Sequence, residues 1–167
     1  MIRSKQIEAA RAACTRALAA ALSVLAIGAA CVSPAAADAP PPGANVFAAR
    51  CAVCHGPEAA GIPGSFPSLH DQIVAFGKTP PGRDYLIMVV TTGLMGDLTV
   101  GSVSYRGVMP AQSILSEAEV AAVLTWLASD RGKDASYPAL SAADITDARA
   151  RHPDKTPQAT RALRPAP

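Results

Sequence analysis

Five consecutive residues, Cys51-Ala52-Val53-Cys54-His55, constrain this chain more than any other part of its sequence. Two thiols separated by two residues, with a histidine directly after the second, form the pattern that attaches a c-type haem. The spacing lets one short turn present both thiols to the two vinyl groups, while the imidazole reaches iron as the proximal ligand. The motif therefore predicts one covalently bound haem c.

The two cysteines also fit two other kinds of site, which the motif alone leaves open. A redox dithiol is expected near a βαβ pattern, and a structural zinc site needs four ligands. The sequence has no βαβ pattern around the motif and no second Cys/His pair close to it. Both interpretations are therefore less favoured than haem attachment.

A second axial ligand is expected further along the chain, and the best candidate is Met109, which is followed by Pro110. A thioether is a soft, neutral ligand, and His/Met ligation raises the potential of haem iron. Met88 and Met95 could in principle reach the iron, but methionine commonly fills gaps in a core. His70 is a further alternative, although a lone histidine is usually a hydrogen-bonded or surface residue.

Taken in order, these motifs resemble the class I cytochrome c family. The resemblance is carried by the Cys-x-x-Cys-His motif, Pro67-Ser68-Leu69, Gly107-Val108-Met109-Pro110 and a helix predicted at 116–128, and it covers roughly residues 43–129. It implies an all-α fold, a small helical domain wrapped around one haem. A short β-hairpin before the axial methionine is a possible addition to that fold.

The resemblance also implies roles for residues around the haem. The Pro67 carbonyl would accept a hydrogen bond from the imidazole of His55, which orients a ligand and tunes its basicity. Leu69 would pack on the haem. Tyr105 would point its hydroxyl toward a propionate or the ligand loop, with a half-buried strand tyrosine as the alternative.

An N-terminal helix in this family crosses a C-terminal helix at close range. Gly43 and Phe47 match the crossing positions on the first helix, and Val123 and Trp126 match those on the second. Trp126, the one tryptophan of the chain, is therefore expected near the haem, with a purely core role as the alternative.

Local patterns predict the remaining elements. Helices are expected at 43–50 and 83–92 and a short helix or turn at 71–76, with the prolines of 78–82 as a break between the last two. Ser116 and Glu119 predict a capping box at the start of the 116–128 helix. Two β-rich triplets, 98–100 and 103–105, flank Gly101-Ser102 and predict a small hairpin.

The first 37 residues have the features of a secretory signal peptide, and we expect cleavage after Ala37. A basic start precedes the short apolar run 17–30, and Ala35-Ala36-Ala37 supplies small residues at a cleavage site. An uncleaved anchor and a lipoprotein attached through Cys31 are less favoured alternatives. The predicted domains are then the signal peptide 1–37, a cytochrome c domain 38–134 and a C-terminal extension 135–167.

Removal of the signal peptide changes the charge of the protein. The whole chain carries +2, and residues 1–37 hold four Lys or Arg and one Glu, so the remainder carries −1. This balance gives no reason to expect nucleic acid as a partner. Within 135–167, residues 141–150 predict one short helix with Ser141 and Asp144 as a cap pair, followed by a disordered tail.

These features favour a periplasmic electron carrier rather than an enzyme. It would be a monomer without a transmembrane segment in its mature form, and it would exchange single electrons with periplasmic redox proteins. The alternative is the cytochrome subunit of a periplasmic dehydrogenase, nitrite reductase or terminal oxidase complex. A ligand-binding or catalytic haem protein is less favoured because the sequence offers no polar distal cluster.

Overall fold

The computed structural model of this chain describes residues 42–166. The predicted signal peptide and its cleavage site lie outside that range. Within it the chain forms seven α-helices, two strands and one π-helical segment, none of the helices being long and apolar enough to cross a membrane. The elements are α1 Pro42–Arg50, α2 Ala52–His55, α3 His70–Gly77, α4 Pro80–Thr92, β1 Leu94–Val100, β2 Val103–Met109, α5 Glu117–Trp126, the π-helix Leu127–Arg131, α6 Ala142–Arg151 and α7 Pro157–Ala162.

The crossing of α1 and α5 determines the position of the cysteine motif at 51–55, which directly follows α1. A methyl group on Gly43 would collide with the backbone carbonyl of Ala122 and lie 2.5 Å from Cβ of Trp126. The absence of a side chain at Gly43 therefore lets the two helices touch. Phe47, one turn later, stacks at a tilt on Trp126 with ring centroids 5.2 Å apart. The contact expected between these residues is confirmed.

Helix α4 begins earlier than the sequence predicted. The two prolines of the 78–82 segment occupy the first positions of the helix instead of breaking the chain before it. Proline suits these positions because its fixed φ is helical and its missing N–H would have no intrahelical partner. The hydroxyl oxygen of Thr79 caps the helix by accepting a hydrogen bond from the N–H of Gly82.

The hairpin is confirmed at its turn and is longer than predicted. Val100 pairs with Val103 across Gly101-Ser102, and the antiparallel register continues to the pair Leu94 and Met109. Gly101 has a φ of +58°, a conformation that glycine adopts without strain. The fold is thus mostly helical with a two-stranded sheet in the described residues, and that sheet ends at the predicted axial methionine.

Helix α5 supplies much of the core. Its capping box forms as predicted: the Ser116 hydroxyl accepts from the N–H of Glu119, whose carboxylate accepts from the N–H of Ser116. The buried side chains of α5 include Val120, Val123 and Leu124, which agrees with the predicted apolar stripe. The α-helical geometry ends at Trp126, where the π-helix takes over.

The C-terminal residues differ from the expectation of a disordered tail. Helix α6 forms with its predicted cap of Ser141 and Asp144, but a further helix, α7, follows it. The Thr156 hydroxyl caps α7, and Thr160 is completely buried. Packing against the rest of the domain stabilises this polar segment, which composition alone does not reveal.

An ion pair joins α6 to α4 at the surface. Arg151 donates two hydrogen bonds to the Asp84 carboxylate, at 2.7 and 2.9 Å, and Nε2 of His152 lies 3.0 Å from the same group. These hydrogen bonds, chiefly that of Arg151, lower the pKa of Asp84. The role of His152 is therefore to help fasten the C-terminal segment.

The helix crossing predicts that Gly43→Ala destabilises the protein by about 1–3 kcal/mol, because the new methyl group meets backbone that cannot move aside. Ala48→Ser, which adds one atom on the exposed side of α1, should change stability by less than about 0.5 kcal/mol. Denaturant unfolding of the two variants measures both values. Equal, small effects would contradict the tight crossing.

Candidate functional site

The cysteines and the histidine of the motif lie on one turn of chain. The N–H groups of Cys54 and His55 donate to the carbonyl of Cys51, at 3.2 and 3.0 Å, which closes the turn. Both cysteines are free and half-buried. Burial, followed by the proximity of Cys54, raises the pKa of Cys51 to about 11. The turn therefore places the thiols of Cys51 and Cys54 close together, and that of Cys51 is favoured in its protonated form.

His55 is held in one orientation by Pro67. Its Nδ1–H donates to the Pro67 carbonyl at 2.9 Å, as expected, and the residue is only 7% exposed. Burial lowers the pKa of His55 more than this hydrogen bond raises it. The imidazole is therefore favoured in its neutral form, and with Nδ1 protonated it keeps a lone pair on Nε2 for a metal.

The hydrogen bond of His55 depends on a close backbone approach that the sequence analysis missed. Gly61 has a φ of +71°, and a side chain there would collide with the backbone of Phe66 and Pro67. Its N–H also donates to the His55 carbonyl at 2.9 Å. Gly61 thus brings the Pro67 segment beside the histidine. The glycines at 56, 61 and 64 indicate a loop, but no sequence pattern shows that this loop packs against the Pro67 segment.

A cavity of about 580 Å³ opens beside the motif, within the size range of roughly 300–1,000 Å³ that cofactor pockets have. Cys51, Cys54 and His55 line one side of it. The other walls are mostly aliphatic and come from α4, the hairpin and α5. They include Leu86, Val89, Val90, Leu94, Leu98, Val100, Val123 and Leu124. Such walls suit a large, flat, apolar group better than a polar substrate.

The hairpin presents the expected methionine to this cavity. Met109, at the end of β2, lines it and is half-buried. Met88 is fully buried in the core, and Met95 is exposed, its sulfur accepting a hydrogen bond from Gln158 at 3.2 Å. Among the methionines of the described residues, Met109 is the one that shares the cavity with His55.

The other predicted haem contacts divide into two groups. Pro67, Leu69 and Tyr105 line the cavity. Trp126 is not among the cavity-lining residues: its ring packs on Phe47 at the helix crossing, with the guanidinium carbon of Arg131 at 5.0 Å from the ring centroid. Its placement matches the core role that was left open for it.

The competing interpretations of the site lack support in the described part of the chain. Nε2 of His70 donates to the Glu58 carbonyl at 2.6 Å, outside the cavity. No three His, Cys, Asp or Glu side chains converge in residues 42–166 in a way that could hold a metal ion. The cysteines therefore have no partners there for a zinc site.

Polar residues at the cavity form a set that sequence reasoning missed. Gln72, Gln112 and three arginines, Arg50, Arg106 and Arg164, line it, whereas no carboxylate does among the described residues. Arg164 comes from the segment expected to be disordered. No sequence pattern pointed to it, because its position depends on how the C-terminus packs.

The donor set and the walls fit haem c. The cavity combines two adjacent thiols, a neutral imidazole with one free nitrogen, a thioether and an apolar lining, and this set offers suitable partners to the vinyl groups, the iron and the macrocycle.

Comparison with known proteins agrees with this chemistry. The family model described as cytochrome c oxidase, cbb3-type, subunit III matches residues 38–127. The chain is 36% identical over 112 residues to a cytochrome c-552 of Thermus thermophilus, which covers 65% of this chain and 85% of that protein. A second cytochrome c-552, from another strain of Thermus thermophilus, matches with the same identity over 75% of its length.

The chain belongs to the cytochrome c family. It is an electron-transfer protein with covalently bound haem c, it is not an enzyme, and its partners are redox proteins. Haem iron, when bound, supplies a one-electron couple between its ferric and ferrous states. The residues of this cytochrome c attach the haem, orient the imidazole and keep water from the macrocycle.

Two thioethers are expected to hold the haem, one from Cys51 and one from Cys54. Cys51→Ser and Cys54→Ser should each leave one vinyl group unreacted, which moves the α-band of the pyridine haemochrome to longer wavelength. Haem of the unchanged protein should resist extraction into acidified acetone. Complete extraction of haem from the unchanged protein would contradict attachment by these residues.

Proposed function

We propose that this cytochrome c is a periplasmic monohaem carrier in which His55 and Met109 are the two axial ligands of the iron. The observation that carries the proposal is that both side chains line the same cavity. The strand pairing of Met109 with Leu94 fixes the backbone at the ligand, and Pro110 stiffens the chain after it. A ligand loop held in this way limits rearrangement when the iron changes charge.

Two filled axial positions determine what the site can do. With His55 and Met109 on the iron, no small molecule binds there, and electrons pass through the edge of the macrocycle. A neutral thioether favours the ferrous state and raises the potential. The low polarity of the walls acts in the same direction, since it disfavours the additional charge of ferric iron.

The cavity mouth offers a surface for partner docking. Val53 and Val108 both line the cavity and are 87% and 57% exposed. Exposed aliphatic side chains at the edge of a redox centre allow a brief approach by another protein without a large buried area. Electron-transfer encounters of this kind bury little surface and are short-lived. A monomer with one such surface is the assembly that we propose.

Export follows from the first part of the sequence. A basic start, a short apolar run and the small residues before Asp38 support a signal peptide removed after Ala37. The family match begins at residue 38, directly after this point. We therefore assign residues 38–134 to the cytochrome c domain and 135–167 to a C-terminal extension of the mature protein.

A second candidate is a subunit of a periplasmic dehydrogenase, nitrite reductase or terminal oxidase complex. It is favoured by the description of the matching family, which names an oxidase subunit. The match to two proteins named cytochrome c-552 over most of their length, without mention of a complex in their names, favours a free carrier instead. Gel filtration of the native protein from a mild extract separates the two, because a free carrier elutes near the size of one chain.

Ligation by Met109 predicts a specific loss in Met109→Ala. The weak near-red charge-transfer band of the ferric protein should disappear, carbon monoxide should bind the ferrous protein rapidly, and the midpoint potential should fall by on the order of 0.1 V. Optical redox titration measures these changes.

Met95→Leu is the matched control, because Met95 lies on the same hairpin but is exposed outside the cavity. It should retain the band and the potential. A ferric spectrum that is the same in Met109→Ala and the unchanged protein would contradict the assigned ligand, and rapid carbon monoxide binding by the unchanged protein would favour a ligand-binding haem protein.

A further inference from the structure

The end of the chain reaches the haem cavity. Beyond the family match, which ends at residue 127, α6 and α7 pack back on the domain, with α7 against β1. After α7 the chain turns, the N–H of Arg164 donating to the carbonyl of Arg161 at 3.2 Å. Arg164 is thereby placed in the cavity wall.

The guanidinium of Arg164 is held by contacts to three separate elements. Its Nη2 donates to Oε1 of Gln72 on α3 at 3.2 Å and to the carbonyl of Thr99 on β1 at 2.9 Å. Its carbon lies 5.4 Å from the ring centroid of Phe76, also on α3. Burial raises the pKa of Tyr85 on α4, and the charge and hydrogen bonding of Arg164 oppose that rise. These contacts restrain a side chain that would otherwise be flexible, so its charge has a defined position.

One hydrogen-bond donor of Arg164 nevertheless remains without an acceptor in residues 42–166. Its Nε–H is buried and has no hydrogen-bond acceptor within the described protein. A buried donor without an acceptor is costly, and for a charged group the cost is larger. No carboxylate of residues 42–166 lines this cavity, so the chain described here supplies no counterion inside it.

The other two arginines at the cavity are in different situations. Arg106 donates to the Asp97 carboxylate at 2.8 Å and points outward, with 85% of its side chain exposed. Arg50 is an exposed residue at the end of α1. Arg164 is thus the half-buried cation of the cavity, and its unpaired N–H is available to an acceptor on a bound group.

Haem c brings two propionate groups, the anionic part of an otherwise apolar cofactor. We propose that Arg164, supplied by the C-terminal extension, binds a haem propionate through its unpaired Nε–H. A charge-assisted hydrogen bond from this N–H to a carboxylate is compatible with the two bonds that Nη2 donates to Gln72 and Thr99. The proposal rests on covalent haem attachment and is independent of Met109 as a ligand.

The pair of Arg164 with a propionate lets the C-terminal extension influence the midpoint potential of the haem iron. A positive charge at a propionate offsets the negative charge that stabilises ferric iron. Arg164→Gln should therefore shift the equilibrium between the two iron states toward ferric by roughly threefold to tenfold. A tenfold shift equals about 59 mV for one electron. Arg164→Lys keeps the charge but not the Nε–H donor, so its shift should be smaller.

The test compares these variants as exported holoproteins by redox titration and low-frequency resonance Raman spectroscopy. Arg164→Gln should lower the potential and move the propionate bending band. Arg161→Gln is the matched control: it removes the same charge three residues earlier, from a side chain outside the cavity lining. It should leave the propionate band in place and change the potential less.

Thermal unfolding separates this role from a purely structural one. A variant of Arg164 that lowers stability while leaving both the potential and the propionate band unchanged would overturn the proposal. An equal potential shift in Arg161→Gln, with no band change in Arg164→Gln, would overturn it as well, because the effect would then be a general one of surface charge.

Discussion

The structure depends on an apolar cavity of about 580 Å³ that has Cys51, Cys54 and His55 on its wall. Protein interiors are close-packed, so mostly aliphatic walls around a cavity of this size suit a large, rigid apolar group. The domain is small, and a haem attached to the two cysteines adds its own apolar surface to the core. Because the attachment is covalent, the cofactor cannot dissociate.

The surrounding elements hold the partners of that cofactor in place. The contact of α1 with α5 through Gly43 fixes the start of the cysteine turn. The backbone approach at Gly61 fixes the acceptor of the His55 hydrogen bond, and the strand register fixes Met109. Each of these is a backbone constraint, so these residues are positioned by the chain itself more than by flexible side-chain contacts. Such rigidity suits a site that must change charge with little movement.

The sequence predicted the local motifs better than the bounds of the helices and strands around them. The cysteine motif, the two Ser caps and the Gly101-Ser102 turn are local patterns, in which residues close together in the sequence determine the geometry. The predicted hairpin was too short because the outer part of the observed one contains Gly96 paired with Gly107, and glycine has low strand propensity. The prolines before Arg83 resembled a break, although the same residues also begin helices.

The C-terminal extension shows where sequence reasoning stops. Its composition is polar and rich in proline, which indicates disorder, but Thr160 and Ile145 are fully buried against the rest of the domain. Contacts between residues far apart in the sequence leave no local signal. The same limit applies to Trp126, whose partner is the Phe47 ring and not the cavity, and to Arg164.

The central claim is that one haem is covalently part of this protein. Intact-mass spectrometry of the chain exported by a host that matures c-type cytochromes tests it most directly. The account predicts a red protein whose mass equals residues 38–167 plus one haem. A colourless protein with the mass of the bare polypeptide would contradict it.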